Sequence, residues 1–140
     1  MIYIIRNDEF EKNASMQRIY YGIKSTGKNC AVVSRDRTSK GKLKVEYKNN
    51  DILYTIRIKA KYGKRLFRIF NLIKYQIALF FFLIRNRKRI TTIHSFDLDT
   101  GYVVKLFSFL YRRKYVYHIA DFYPEEFNRQ AVGLVAKYHF

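Results

Sequence analysis

Short apolar runs alternate with stretches of helical spacing along this chain, and that alternation limits the folds open to it. Residues 2–5 (IYII) and 30–33 (CAVV) are continuous apolar runs, as strands covered on both faces of a parallel sheet show. Between them, residues 13–25 place Ala14, Ile19, Tyr20 and Ile23 near helical spacing, and Gly27 is a fitting stop. A polar loop over 34–41 follows. Residues 52–58 (ILYTIRI) are β-branched and alternating, which predicts a third strand in hairpin-like pairing with the second. A long helix runs from about 66 to 85 and ends in the basic run RNRKR. Residues 90–93 predict a fourth strand, 100–113 a helix with Asp99 or Thr100 as N-cap, and 115–120 a fifth strand. Pro124, followed by Glu125 and Glu126, suits the first turn of a last helix. The pattern predicts an α/β fold: an open, Rossmann-like, mostly parallel sheet of about five strands with helices on both faces. At 140 residues, with 49% hydrophobic content and no linker or repeat, the chain reads as a single domain.

Charge narrows the partners. Lys and Arg number 28 against 11 Asp and Glu, a formal net charge of +17, which favours an anionic surface or polymer nearby. The aromatics sit mostly at core-periodic positions, and no known nucleic-acid module is visible, so nucleic acid is disfavoured as a partner. The helix over 66–84 has a wide apolar face, bordered by Arg65, Arg68 and Lys74 and by Arg85, Arg87, Lys88 and Arg89. It can be a core helix with a solvated basic edge, an interfacial helix on an anionic membrane surface, or a nucleic-acid patch. Only ten of its residues, 75–84, form a charge-free run, about half of what a spanning helix needs, so no span is expected.

Several chemistries find no written site. One cysteine, Cys30, excludes a disulfide framework, and His94, His118 and His139 are too dispersed for a histidine metal cluster, so no metal is expected. The first residues lack the pattern of a secretory signal, and the chain reads as intracellular. No G-x-G-x-x-G or phosphate-binding loop is present, and His94, Ser95 and Asp97 stand together without a nucleophile elbow. Between Ile52 and Pro124 only Asp97, Asp99 and Asp121 are acidic, against fifteen basic residues. All three follow the carboxyl ends of predicted strands, where open α/β sheets bind ligands. Carboxylates there can accept hydrogen bonds from sugar-like hydroxyls.

These positions carry a resemblance. Ile93-His-Ser-Phe-Asp-Leu-Asp-Thr100 and, after a helix, Tyr115-Val-Tyr-His-Ile-Ala-Asp-Phe-Tyr-Pro124 resemble stretches that read IHaxDxDT and vYDixDfY in the N-terminal domain of retaining GT-B glycosyltransferases. The subfamily-4 enzymes of capsular and exopolysaccharide synthesis are the most similar. Glu9-Phe-Glu-Lys-Asn-Ala14, with Gly27, is similar to that family's opening segment. Three positions depart from the pattern: His118 stands where the family usually has Asp, and Phe96 and Ala120 stand where it often has His.

The resemblance implies the acceptor-side half of an enzyme that transfers a sugar from a nucleoside-diphosphate sugar to a lipid-linked or other glycan acceptor. His94, Asp97, Asp99, Thr100, Asp121, Lys12 and Asn13 would then meet the acceptor. Arg65, Arg68, Lys74, Arg85, Arg87, Lys88 and Arg89 would face the membrane, with the protein peripheral on the cytoplasmic, inner face of the cell membrane. No cofactor is expected in this chain, because the donor would bind a second domain absent from these 140 residues or carried by a partner chain. The N-terminal domain itself is expected to be incomplete at its carboxyl end, and the chain inactive alone. The competing expectation is a non-enzymatic basic α/β module that binds anionic membrane or nucleic acid.

Overall fold

The computed structural model describes residues 1–48, 50–60 and 65–119. In chain order these form β1 (Ile2–Ile5), a 3-10 turn (Phe10–Lys12), α1 (Ala14–Ser25), β2 (Cys30–Asp36), β3 (Lys44–Lys48) and β4 (Asp51–Arg57). Then come α2 (Arg65–Asn86), β5 (Thr92–Ser95), α3 (Leu98–Tyr111) and β6 (Lys114–Tyr117). The strands make one sheet in the order β3-β4-β2-β1-β5-β6. Every pairing is parallel except that of β3 with β4. The protein is therefore a mostly parallel, Rossmann-like α/β sheet, with six strands where five were expected.

Side-chain parity divides the core. Tyr3, Ile5, Ala31, Val33, Tyr54 and Ile56 point to one face and meet Tyr75, Leu79, Phe82 and Leu83 of α2 and Val103, Val104 and Phe107 of α3. Ile4, Cys30 and Val32 point to the other, where Met16 and Tyr20 of α1 close over them with Phe10 and Phe96. Helices thus cover both faces.

The hairpin lies elsewhere than expected. β2 and β4 pair in parallel, Ala31 opposite Ile52, and the antiparallel partner of β4 is β3, a strand unforeseen in the sequence. Its residues KVEYK are all exposed, because charge on an outermost strand blocks further edge pairing. Asn50, at φ 66°, supplies the left-handed turn residue. β5 starts two residues later than the run 90–93 suggested, and β2 extends to Asp36 through what reads as a polar loop. The helix α3 is capped at Asp97, ahead of Asp99 and Thr100. The expected last helix and Asp121 lie outside the described residues.

One buried carboxylate fastens the α1 side. Asp51 is fully buried at the start of β4. It accepts from the Tyr20 hydroxyl at 2.7 Å and the Cys30 amide at 2.9 Å, and pairs with Lys24 at 2.9 Å. Burial alone pushes the Asp51 carboxyl up, but these donors outweigh it and hold its pKa below the ordinary carboxylate value. Asp51→Ala is expected to cost about 3 kcal/mol in urea unfolding, since three donors lose their acceptor. A loss under about 1 kcal/mol would show that water replaces the carboxylate at little cost.

Candidate functional site at the switch point of the sheet

In the order β3-β4-β2-β1-β5-β6 the chain winds outward from β1 in one direction and from β5 in the other. The carboxyl ends of β1 and β5 therefore border the crevice where open α/β sheets take ligands. Arg6 and Asn7 leave β1 there, Arg35 lies near the end of β2 with Arg37 just beyond it, and Asp97 and Asp99 open α3.

Asn7 joins these elements. Its backbone amide donates to Asp97 Oδ2 at 2.9 Å, its side-chain amide donates to Asp99 Oδ2 at 3.0 Å, and its Oδ1 accepts from Arg35 Nη1 at 2.9 Å. Its carbonyl accepts from Arg37. Arg6 Nε lies 3.3 Å from Asp97 Oδ1, and Arg6 Nη1 donates to Asn13 Oδ1 at 3.1 Å. On the α2 side, Gln76 donates to the Asp99 carbonyl at 3.2 Å, and the Arg35 guanidinium lies 4.9 Å over the Tyr75 ring. The Asp97 carboxylate caps nothing in α3 because Asn7 and Arg6 engage it.

The structure gathers some of the expected site residues and separates others. His94, Asp97 and Asp99 are partly exposed around the end of β5. Thr100 is fully buried, and its hydroxyl donates to the Asp97 carbonyl, a structural bond. Asn13 is mostly buried as the N-cap of α1, accepting from the Met16 amide at 3.1 Å, and reaches the crevice only through Arg6. Lys12 pairs with Glu9 at 2.8 Å and lines a different cavity, over Asp36, Thr55 and Arg57. Asn7, Arg35 and Arg37 were missed. The signal was available: both segments directly follow apolar strand runs, as Asp97 and Asp99 do.

Beside the carboxylates lies a histidine pair. His94 Nδ1 and His118 Nε2 are 2.8 Å apart, with the rings stacked at a 20° angle. Phe96 also stacks on His118, 4.7 Å between centroids. The bond needs one ring nitrogen to accept, so it survives only while at least one ring is neutral. Burial lowers both pKa values, and for His94 its neighbour His118 lowers it further.

The expected membrane residues Arg65, Arg68, Lys74, Arg85, Arg87, Lys88 and Arg89 are all exposed. Between the two end clusters runs an exposed apolar stripe on α2: Leu66, Ile69, Phe70, Ile73, Ile77 and Phe81, at helical spacing. The neighbouring α3 exposes Leu98, Tyr102, Leu106 and Phe109. By length and composition α2 meets the requirement for crossing a membrane, with mean hydropathy 1.6 over 18 residues, of which 22% are buried. An 18-residue window of the helix thus reaches that hydropathy despite interrupting charges, although its charge-free run 75–84 is only ten residues long. Core helices satisfy the same requirement, and the inner face of α2 is packed on the sheet.

Neither a scan of protein-family models nor a search of curated proteins gives a match to this chain.

The lowered histidine values set a pH dependence. The stability they contribute is present above the unfolded-state value of 6.5 and is lost as pH falls from there through the lowered folded values. Thermal unfolding between pH 7.5 and 5 should therefore show Tm declining from about pH 6.5 downward. A His94→Gln/His118→Gln variant should decline less. If the variant follows the same profile, the histidine pair does not control the loss.

Proposed function

We propose that this chain is the acceptor-side half of a retaining GT-B glycosyltransferase that works against an anionic membrane surface on the cytoplasmic side. The observation that carries the reading is the polar cluster at the switch point, where Asp97 and Asp99 are fixed by Asn7 across the carboxyl ends of β1 and β5. Their position is where this sheet architecture takes ligands, and their chemistry suits hydroxyl groups of a glycan. In this reading the acceptor's hydroxyls donate to Asp97 and Asp99, and the adjacent His94–His118 pair is a neutral acceptor or donor for a further hydroxyl. A nucleoside-diphosphate sugar is held by a second domain, which closes over the crevice and excludes water. The resemblance implies an acceptor role for Asp121 as well, a residue outside the described ones.

The basic clusters and the stripe between them support the membrane part. Docking on lipid removes the apolar side chains from water, and the cations at both ends of the roughly 33 Å helix sit at the headgroups. A second reading, an anionic-membrane module without catalysis, rests on this surface alone.

Two measurements test these readings. Membranes from cells carrying the chain, given labelled nucleoside-diphosphate sugars, should incorporate label into lipid-extractable glycan. Asp99→Asn should reduce that by about tenfold or more, the scale of one lost hydrogen bond to a charged group. Equal incorporation by a folded Asp99→Asn protein would defeat the transfer reading and leave the membrane module. Flotation on vesicles rich in anionic lipid should weaken steeply with salt. Replacing Arg85, Arg87, Lys88 and Arg89 with Ser should lower partitioning by roughly two to three orders of magnitude, at about 1 kcal/mol per cation. Unchanged flotation would remove the membrane from both readings.

A further inference from the structure

A cavity of about 200 Å³ opens between the end of β2, the loop after β4 and the first turns of α2. Asn7, Arg35, Arg37, Arg68, Asn71 and Asp99 supply its polar lining. Arg35 is only 4% exposed. It is held rigidly: Nη1 donates to Asn7, Nε donates to the Ile58 carbonyl at 3.3 Å, and its plane lies over Tyr75. Burial lowers its pKa and the nearby Arg37 lowers it further, so the two guanidiniums repel. Among the described residues neither Arg35, Arg37 nor Arg68 forms an ion pair with a carboxylate. Asp99 is the one acid in the lining, against three arginines.

A buried cation with no ion-pair partner is costly even with the Asp99 carboxylate near enough to attract it, and a bound anion offsets the cost further. Planar, preoriented guanidiniums match phosphate oxygens, which a single carboxylate in the wall does not forbid. We propose that this cavity is a binding site for a phosphate or diphosphate group, with Arg35 as the fixed base of the site and Arg37 and Arg68 as its outer clamps. Asp99, beside them, takes a hydroxyl of whatever the phosphate is attached to. The inference stands on this cavity and does not depend on glycosyl transfer.

The surroundings show how a larger ligand continues. Asn71 is shared with a second cavity, lined by Lys40, Lys59, Phe67 and Lys74. Arg57 and Ile58 are shared by that cavity and a third, largely apolar one that includes Leu43, Ile56, Ala78, Phe81 and Phe82. The three follow one side of α2 from Arg68 to Arg85, about 25 Å. A phosphate carried by an apolar chain fits this trough, and a free or nucleoside-borne phosphate needs only its first cavity.

Calorimetric titration of the full chain in 150 mM salt, with inorganic pyrophosphate and with farnesyl diphosphate, tests the site. Both should bind, and Arg68→Gln and Arg37→Gln should each weaken pyrophosphate by about tenfold or more, as loss of a charge-assisted bond predicts. Arg87→Gln and Lys88→Gln, equally basic but just beyond the far end of the helix, should leave it unchanged. Arg35→Gln should abolish binding, and because this substitution also removes the bonds of Arg35 to Asn7 and Ile58, the exposed Arg68 and Arg37 decide the matter. Tighter binding of farnesyl diphosphate than of pyrophosphate supports the site with a lipid headgroup as its source. Equal binding supports it with a soluble phosphate. Absence of binding, or equal weakening by the Arg68 and Arg87 variants, overturns the proposal and leaves only the general attraction of a +17 chain for anions.

Discussion

The side-chain amide of Asn7 holds the switch-point end of the sheet together. One nearly buried residue accepts from a guanidinium and donates to two carboxylates, and so ties the ends of β1 and β2 to the start of α3. Neither Asp nor a small apolar residue can replace it. An Asp would lose the donor to Asp99 and add a third negative charge beside Asp97 and Asp99. An apolar residue would leave Arg35 and Asp99 each short of a partner in a low-dielectric place, where an unmet polar group costs about 1–3 kcal/mol. A side-chain amide presents an acceptor and a donor side by side, as a position between a guanidinium and a carboxylate requires.

This arrangement shows how a strongly basic chain accommodates charge in its interior. Acids are scarce, and the described ones are placed where they do structural work: Asp51 beneath α1, and Asp97 and Asp99 at the switch point. Asp36 holds its own turn, accepting from Thr38 and Ser39, whose hydrogen bonds place its carboxyl far below the ordinary range. Almost every interior carboxylate is thereby committed, and among the described residues three arginines without an ion pair line one cavity.

What the sequence revealed follows from how local each signal is. Runs such as IYII and CAVV are apolar because both faces of their strands are covered, so the central parallel strands were legible at once. β3 was not, since an edge strand owes its conformation to β4 and its composition to solvent, and KVEYK looks like any charged loop. The N-cap of α3 was misplaced because Asp97, Asp99 and Thr100 all have the right chemistry. Only the contacts of Asp97 with Asn7 and Arg6, 90 residues away, show how its carboxylate is used. Asp97 and Asp99 were visible as rare acids in a basic stretch. Arg35 and Arg37 were hidden among 28 cations, and only burial distinguishes Arg35 from the rest.

The helix α2 connects the two surfaces on which the proposed function rests. Its inner face supplies Tyr75 beneath the Arg35 guanidinium and Gln76 to the Asp99 carbonyl, while its outer face carries the apolar stripe. Tyr75 is fully buried, and burial raises its pKa, so it stays neutral and acts as a ring face and a hydroxyl rather than as an acid. Tyr75 and Gln76 thus tie the inner face of α2 to Arg35 and to the first turn of α3. The exposed stripe and the contacts that reach the polar cluster are, in this fold, carried by the same helix.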